Sequence, residues 1–295
     1  MTALNSGRVV ATFGKHCLVQ ADQAIVDCVS RGRKADIACG DAVEFKLTSP
    51  GHGVVERVQP RRNLLYRSDP FKIKYFAANL DQVLVVTAVE PGLNENLINR
   101  CLVAAQAAGI PACIVLNKAD LPQTQELHAY LKAYEAIGYP VILVSAKRDV
   151  TPLLPRLIGK TSVLIGPSGV GKSTLVNALV PEADVRTAEI SRALNAGRHT
   201  TTHTRLYELP QGGALIDSPG MQEFGLHHLD LAGLQAAFPE FHRLIGQCRF
   251  YNCRHLKEPD CAITAAAATG AILPERLRAY QVLVEERLAA EQLHK

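Results

Sequence analysis

The 295-residue chain is 47% hydrophobic and 20% charged with a net charge of +4, which excludes disordered, fibrous and strongly polyanionic classes. Its length allows two or three domains, since single cores stop growing near about 250 residues. No apolar run approaches the ~20 residues of a membrane span, and Met1 to Ser6 has neither basic nor apolar character, so a cytoplasmic protein without signal peptide or membrane contact is expected.

Charge is unevenly spread. Residues 1–80 hold 12 Lys+Arg against 7 Asp+Glu, and the remainder is close to neutral. That surplus suggests phosphate contact, although an ordinary solvated basic surface explains the charge equally well. Four short β-like runs, Gly7 to Gln20, Gln23 to Ser30, Asp41 to Leu47 and Gly53 to Val58, are separated by Gly- and Pro-containing turns. Even spacing of short strands predicts a small barrel. With the basic surplus an OB-type barrel is favoured, and periodicity does not separate it from an SH3-like one. Residues 63–78, basic and aperiodic, read as a connector after a first domain at 1–62.

The pattern then changes. Gln82 to Thr87 is a continuous apolar run, as in a strand buried on both faces. Residues 95–108 and 123–137 have helical periodicity, with Ala112 to Leu116 and Val141 to Val144 as further strands. Leu164-Ile165 leads into a Gly-rich turn and a helix over 172–179, and Ala214 to Ile216 is another strand ending at Asp217. Alternating strands and helices predict a parallel sheet with helices on both faces, an α/β domain over 79–232. A C-terminal domain over 233–295 contains a Cys/His cluster and a helical stretch from Pro274 to Leu293. Ala265 to Ala268 reads only as low complexity.

Gly166-Pro167-Ser168-Gly169-Val170-Gly171-Lys172-Ser173 matches G-x-x-x-x-G-K-S/T between a strand and a helix, and Thr174 follows. Glycines let backbone N–H groups close on phosphate oxygens, and the helix N-terminus adds positive potential. Lys172 is suited to the β- and γ-phosphates and Ser173 to Mg²⁺. This loop does not choose between ATP and GTP. Asn117-Lys118-Ala119-Asp120 does: at a strand end, the Asp120 carboxylate can accept from guanine N1–H and the 2-amino group, a donor pair adenine lacks. Asn117 can secure the loop and Lys118 can lie along the base. Ser145-Ala146-Lys147, at the next strand end, offers the Ala146 N–H to guanine O6.

Asp217-Ser218-Pro219-Gly220 supplies D-x-x-G, with Asp217 a Mg²⁺ ligand through water and Gly220 N–H a γ-phosphate sensor. Thr202 or Thr201, in the string Gly197 to Thr202, is the candidate to complete the Mg²⁺ shell. In GTPases of the Ras type the phosphate loop comes first. Here N-K-x-D and S-A-K precede it, so the domain is expected to be circularly permuted, which compact domains tolerate when their termini are close. Met221 stands where Ras-like proteins place a water-orienting Gln, and an apolar side chain cannot do that work. His199 is the candidate catalytic group beside Lys172, with partner contact or loop capping as its alternative. Slow intrinsic hydrolysis with partner activation is expected.

Of the eight cysteines, Cys248-x4-Cys253-x-His255-x5-Cys261 forms a Cys3His set suited to one tetrahedral, structural Zn²⁺. The other five are scattered through strands and helices as small hydrophobes.

Basic barrel, permuted GTPase and Cys3His module, in that order, resemble the bacterial ribosome small-subunit-dependent GTPase A family, also called RsgA or YjeQ. Pro60-Arg61-Arg62-Asn63, Gly197 to Thr202, Asp217-Ser218-Pro219-Gly220 and the cysteine spacing carry the resemblance. It implies an OB-fold N-domain and a zinc-binding C-domain that grip 16S rRNA on an immature 30S subunit. It further implies that GTP or GDP state controls residence there and that the subunit stimulates hydrolysis. A nucleotide-dependent RNA-binding module with little turnover, or a GTPase serving the large subunit, are the alternatives. Nothing suggests a coiled coil, and a monomer is expected.

Overall fold

The computed structural model describes residues 4–22, 24–30, 36–69, 72–181, 183, 203–218 and 223–293. The first five strands are β1 (Asn5–Phe13), β2 (His16–Ala21), β3 (Ala24–Ser30), β4 (Ala42–Ser49) and β5 (His52–Val58). They run in the order β1-β2-β3-β5-β4, and β4 returns to pair with β1, closing a five-stranded barrel. Only β3–β5 is parallel; the other pairs are antiparallel. That closed arrangement is the OB architecture, and β4 covers β1 only from Asn5 to Arg8. Val9, Val19, Cys28, Val43, Phe45 and Val55 fill its core. The run Gly7 to Gln20, expected as one strand, folds back on itself at Gly14, whose φ of 63° suits glycine.

Residues 63–78 hold a hairpin of β6 (Leu64–Ser68) and β7 (Ile73–Ala78), not a plain connector. Its register shifts between Leu65 and Tyr66, and such a bulge breaks the alternation that would announce a strand. Pro60-Arg61-Arg62-Asn63 ties the barrel to the α/β domain. Arg61 grips the buried Asp41 carboxylate at 2.7 Å through both Nε and Nη2. Arg62 meets Asp81 at 2.8 Å, and the Asn63 side chain exchanges hydrogen bonds with the Leu80 backbone.

The α/β domain is built on β8 (Gln82–Ala88), buried along its whole length. It continues through α1 (Glu95–Ala107), β9 (Ala112–Asn117), α2 (Thr124–Ala136), β10 (Val141–Leu143), a short α3 (Leu154–Leu157), β11 (Thr161–Ile165), α4 (Lys172–Leu179), β12 (Thr204–Glu208) and β13 (Ala214–Asp217). The sheet order is β10-β9-β8-β11-β13-β12, parallel except for β12. From β8 the chain steps outward to β9 and β10, then jumps back to β11 on the other side. The crevice beyond the C-terminal strand ends at that reversal is where open α/β sheets bind ligands. The sequence offered no clear signal for β12. It pairs with β1 as well as β13, with Ala11 opposite Arg205 and Thr12 opposite Thr204. Barrel and α/β domain therefore share one eleven-stranded sheet.

The last segment contributes α5 (Leu231–Ala236), α6 (Ala262–Ala268) and α7 (Pro274–Leu293). The alanine run expected to be low complexity is α6, capped by Cys261. Among the described residues no helix is long and apolar enough to cross a membrane. Arg276 on α7 is fully buried. Its guanidinium bonds Glu240 at 2.6 Å, reaches the Asn99 side chain on α1 at 3.2 Å and lies 4.3 Å over the Phe238 ring. Removing one member of a buried pair strands a charge. Glu240→Ala is expected to lower the unfolding free energy by about 3–5 kcal/mol, measured by urea denaturation, with surface Arg249→Ala as the neutral control.

Candidate functional site

Three loops meet at the crevice. Asn117 ends β9 and is 1% exposed. Its Nδ2 donates to the Val170 carbonyl at 2.8 Å, and its Oδ1 accepts from Ala146 N–H at 2.9 Å. One amide thus joins the Asn117 to Asp120 loop, the phosphate-loop sequence and the Ser145 to Lys147 turn. Lys118 follows with φ of 63°, and its carbonyl accepts from the Thr124 hydroxyl at 2.8 Å. Ser145 Oγ donates to Asp120 Oδ1 at 2.6 Å, a bond that holds the Asp120 carboxyl below its usual range and so keeps it an acceptor. The Ser145 to Asp149 turn is closed by reciprocal backbone bonds between its two ends.

These loops bound a cavity of about 130 Å³ lined by Glu90, Asn117, Lys118, Asp120, Leu121, Ser145, Ala146, Lys147, Gly171 and Thr174. The sequence did not single out Glu90 or Leu121. Glu90 reaches the cavity from the loop after β8, with a carboxylate oxygen 4.0 Å from Lys118 Nζ. Thr124 was also missed, since its role depends on the turn that brings it back beneath Lys118.

The Gly166 to Ser173 loop leads from β11 into α4. A Cβ at Gly166 would lie 2.3 Å from the Val86 carbonyl, and one at Gly171 would lie 2.3 Å from Asn117 Nδ2. Glycine is required at both positions by close packing as well as by positive φ. Lys172 Nζ donates to the Gly166 and Pro167 carbonyls at 2.9 and 2.8 Å, which lodges the ammonium inside the loop. Burial lowers its pKa, and the Asp217 charge opposes that shift. Asp217, at the end of β13, is 5% exposed, and its Oδ1 has no hydrogen-bond partner. Burial raises this carboxyl to about 6, against the pull of Lys172. An unpaired, buried carboxylate oxygen facing a phosphate loop has the chemistry of a group completed by a cation. Ser218 Oγ instead donates to the Leu164 carbonyl at 2.7 Å, so it locks the strand end. His199, Thr201, Thr202 and Gly220 lie outside the described residues.

In the C-terminal segment the ligand atoms of Cys248, Cys253, His255 and Cys261 all lie within 4.8 Å of one another. His255 Nδ1 is 3.5 Å from the Cys248 and Cys253 sulfurs and 3.3 Å from that of Cys261, and Cys248 to Cys261 is 3.9 Å. A tetrahedral ion with Zn–S and Zn–N bonds of ordinary length would give edges of about 3.8 Å (S to S) and about 3.6 Å (S to N). The set fits such an ion. His255 Nε2 is held by the Gln235 side chain at 3.2 Å, which orients the ring as an outer-shell partner does.

The N-K-x-D and S-A-K loops first, the G-x-x-x-x-G-K-S loop second and the Asp217 strand last, all at the C-terminal ends of the strands, are the order of a circularly permuted P-loop GTPase. The RsgA GTPase family profile matches residues 58–227. The "Small ribosomal subunit biogenesis GTPase RsgA" of Burkholderia pseudomallei is 53% identical over 290 residues, covering 95% of this chain and 91% of that one. That of Paraburkholderia phytofirmans is 52% identical over 292 residues, covering 95% and 92%. Among solved structures, YjeQ from Thermotoga maritima is 30% identical at a TM-score of 0.72, covering 97% of this chain and 99% of that one. YloQ, described as a circularly permuted GTPase, is 27% identical at 0.67, covering 98% and 96%. The chain belongs to the RsgA GTPase family, and it is a GTP-hydrolysing enzyme.

The Asp217 carboxyl gives a pH signature. Its pKa is raised from 3.8 to about 6 on folding, so between those values the native state binds more protons than the unfolded one. Ligand-free stability should therefore fall as pH rises from about 4 to about 6 and level off above. Asp217→Asn is expected to remove that decline and to stabilise the ligand-free protein at pH 7 by roughly 1–3 kcal/mol, as read by thermal melting across pH.

Proposed function

We propose that this GTPase acts in late assembly of the small ribosomal subunit, binding 16S rRNA on the 30S particle under control of its nucleotide and turning over faster when bound there. Relatives that share about half its residues over nearly its whole length are named for biogenesis of that subunit. The observation that carries the guanine reading is the Asn117-tied cavity with an ionised Asp120 at its wall.

In this reading Asp120 accepts from guanine N1–H and the 2-amino group, and the Ala146 N–H faces O6. Lys118 and Lys147 flank the base plane, with Ala119 and Ser145 shaping the loops around it. Backbone N–H groups from Gly166 to Thr174 surround the phosphates, and Lys172 neutralises charge that builds between the β- and γ-phosphates. Ser173, Thr202 and, through water, Asp217 would hold Mg²⁺, which supplies charge neutralisation at the phosphates. Gly220 N–H senses the γ-phosphate. His199 positions the attacking water and takes its proton as the new O–P bond forms and the bond to the β–γ bridging oxygen breaks, giving GDP and phosphate. The Cys248, Cys253, His255 and Cys261 site would hold one structural Zn²⁺. The domains divide as 1–62, 63–78, 79–232 and 233–295, in a cytoplasmic monomer.

Phosphate release from GTP, measured alone and with purified 30S, 50S or 70S particles, tests this. GTP-specific stimulation by 30S is expected; equal stimulation by 50S, or none by any particle, would sink the small-subunit assignment. Asp120→Asn swaps the acceptor pair for an amide and should weaken GTP binding at least about a hundredfold. His199→Ala should lower kcat in the presence of 30S by about 10²-fold or more while leaving GTP affinity within about twofold. Unchanged turnover would remove His199 from the chemistry.

A further inference from the structure

The loop between Cys248 and Cys253 presents two neighbouring aromatic rings to solvent. Phe250 is 41% exposed and Tyr251 is completely exposed, the most open large hydrophobic side chain among the described residues. Two adjacent exposed rings at the tip of one short turn form a contact surface of the amphipathic aromatic kind enriched at interfaces. Neither ring packs on another ring among the described residues, and the Arg249 guanidinium lies 5.5 Å over Phe250.

The turn itself is held firmly. The residues just outside it are ligands of the Cys3His cluster, Arg249 N–H donates to the Asp260 carbonyl at 3.2 Å, and Cys253 N–H to that of Phe250 at 3.2 Å. A ring carried on such a turn loses little conformational freedom when something stacks on it.

Charge around the rings selects the partner. Arg249, Arg254 and Lys257 are all exposed. Glu258 turns inward, accepting from the backbone N–H groups of Arg254, Leu256 and Lys257. Asp260 pairs with Arg249 at 2.9 Å. Arg254 and Lys257 therefore have no carboxylate partner among the described residues. Exposed rings beside unpaired cations, with the nearby carboxylates already engaged, suit a polyanion that has flat faces to stack.

We propose that the Cys248 to Cys253 loop is a stacking platform for unpaired RNA bases, with Tyr251 the principal ring and Arg254 and Lys257 on the flanking phosphates. This deepens, and rests on, the small-subunit RNA reading above. Unpaired bases are the appropriate class, since A-form duplexes hide their base faces while bulges and loops expose them to aromatic side chains.

The test uses the full-length wild-type, Tyr251→Ala, Tyr251→Phe and Arg254→Ala proteins. Binding is measured to purified 30S particles by pelleting and to a fluorescently labelled 12-nucleotide single-stranded RNA by anisotropy. Tyr251→Ala should weaken binding by about tenfold on both probes, and Tyr251→Phe should stay within about twofold, because the ring and not the hydroxyl stacks. Arg254→Ala should reduce the salt dependence of binding to the RNA. Intrinsic GTP turnover and metal content should not change, which separates lost stacking from a misfolded module. Wild-type affinity of Tyr251→Ala on the RNA overturns the proposal. Weakening confined to 30S, with ultraviolet cross-links from Tyr251 to a ribosomal protein, also overturns it in favour of a protein contact. If the wild type ignores 30S but binds the RNA through Tyr251, the small-subunit reading fails and the platform stands.

Discussion

A single side-chain amide organises the nucleotide site. Asn117 uses its donor on the phosphate loop and its acceptor on the Ser145 to Lys147 turn, and it is buried where either lost bond would leave a polar atom unsatisfied. Gly171 has no Cβ because that amide occupies the space. Since the three loops leave three different strands, their relative positions are only as precise as this link. Asn117 thereby sets the distance between the loop that carries Asp120 and the turn that carries Ala146. Lys172 and Asp217 then form a second, electrostatic centre beside it, in which each buried charge partly offsets the cost of the other.

Permutation changes what the site is attached to. β12 lies between the α/β sheet and the barrel, paired with β13 on one side and β1 on the other. Hydrogen bonds from Arg8 to Thr161 at 3.0 Å and from Gln20 to Glu208 at 3.3 Å reinforce that seam. The hairpin of β6 and β7 grips the chain just beyond Asp217: Ser68 N–H donates to the Gly225 carbonyl, His228 N–H donates to Ser68 Oγ, and Phe76 packs on Phe224. The Cys3His module is fixed in turn through Arg276 and through the Arg100–Glu286 pair between α1 and α7. Both appended domains are joined to the α/β domain by ordered hydrogen-bonded contacts, not by flexible tethers.

Much of the site was legible because its chemistry is local. A phosphate loop needs glycines at given offsets, guanine recognition needs a carboxylate two residues past a lysine at a strand end, and a tetrahedral metal site needs four soft ligands close in sequence. The helices at 95–107, 124–136 and 274–293 were legible for a related reason, since apolar positions recur at the helical period, and that at 172–179 was legible from its place after the Gly-rich turn. What escaped was non-local. β12 mixes charged and apolar residues, and its place comes from neighbours almost two hundred residues away. β6 and β7 were hidden by a bulge, and α6 by a run of alanines that carries no periodicity.

The sequence by itself determined the GTPase class and the Cys3His cluster that the fold brings together, because each rests on residue types at fixed spacing along a few turns of chain. Only the tertiary structure decided that Asn117 bridges two loops, that Glu90 enters the cavity, that Asp217 sits buried with an unpaired oxygen, and that the barrel continues the enzyme's sheet. Those are properties of distance and solvent exclusion, which arise when segments remote in sequence are packed together and water is removed from between them.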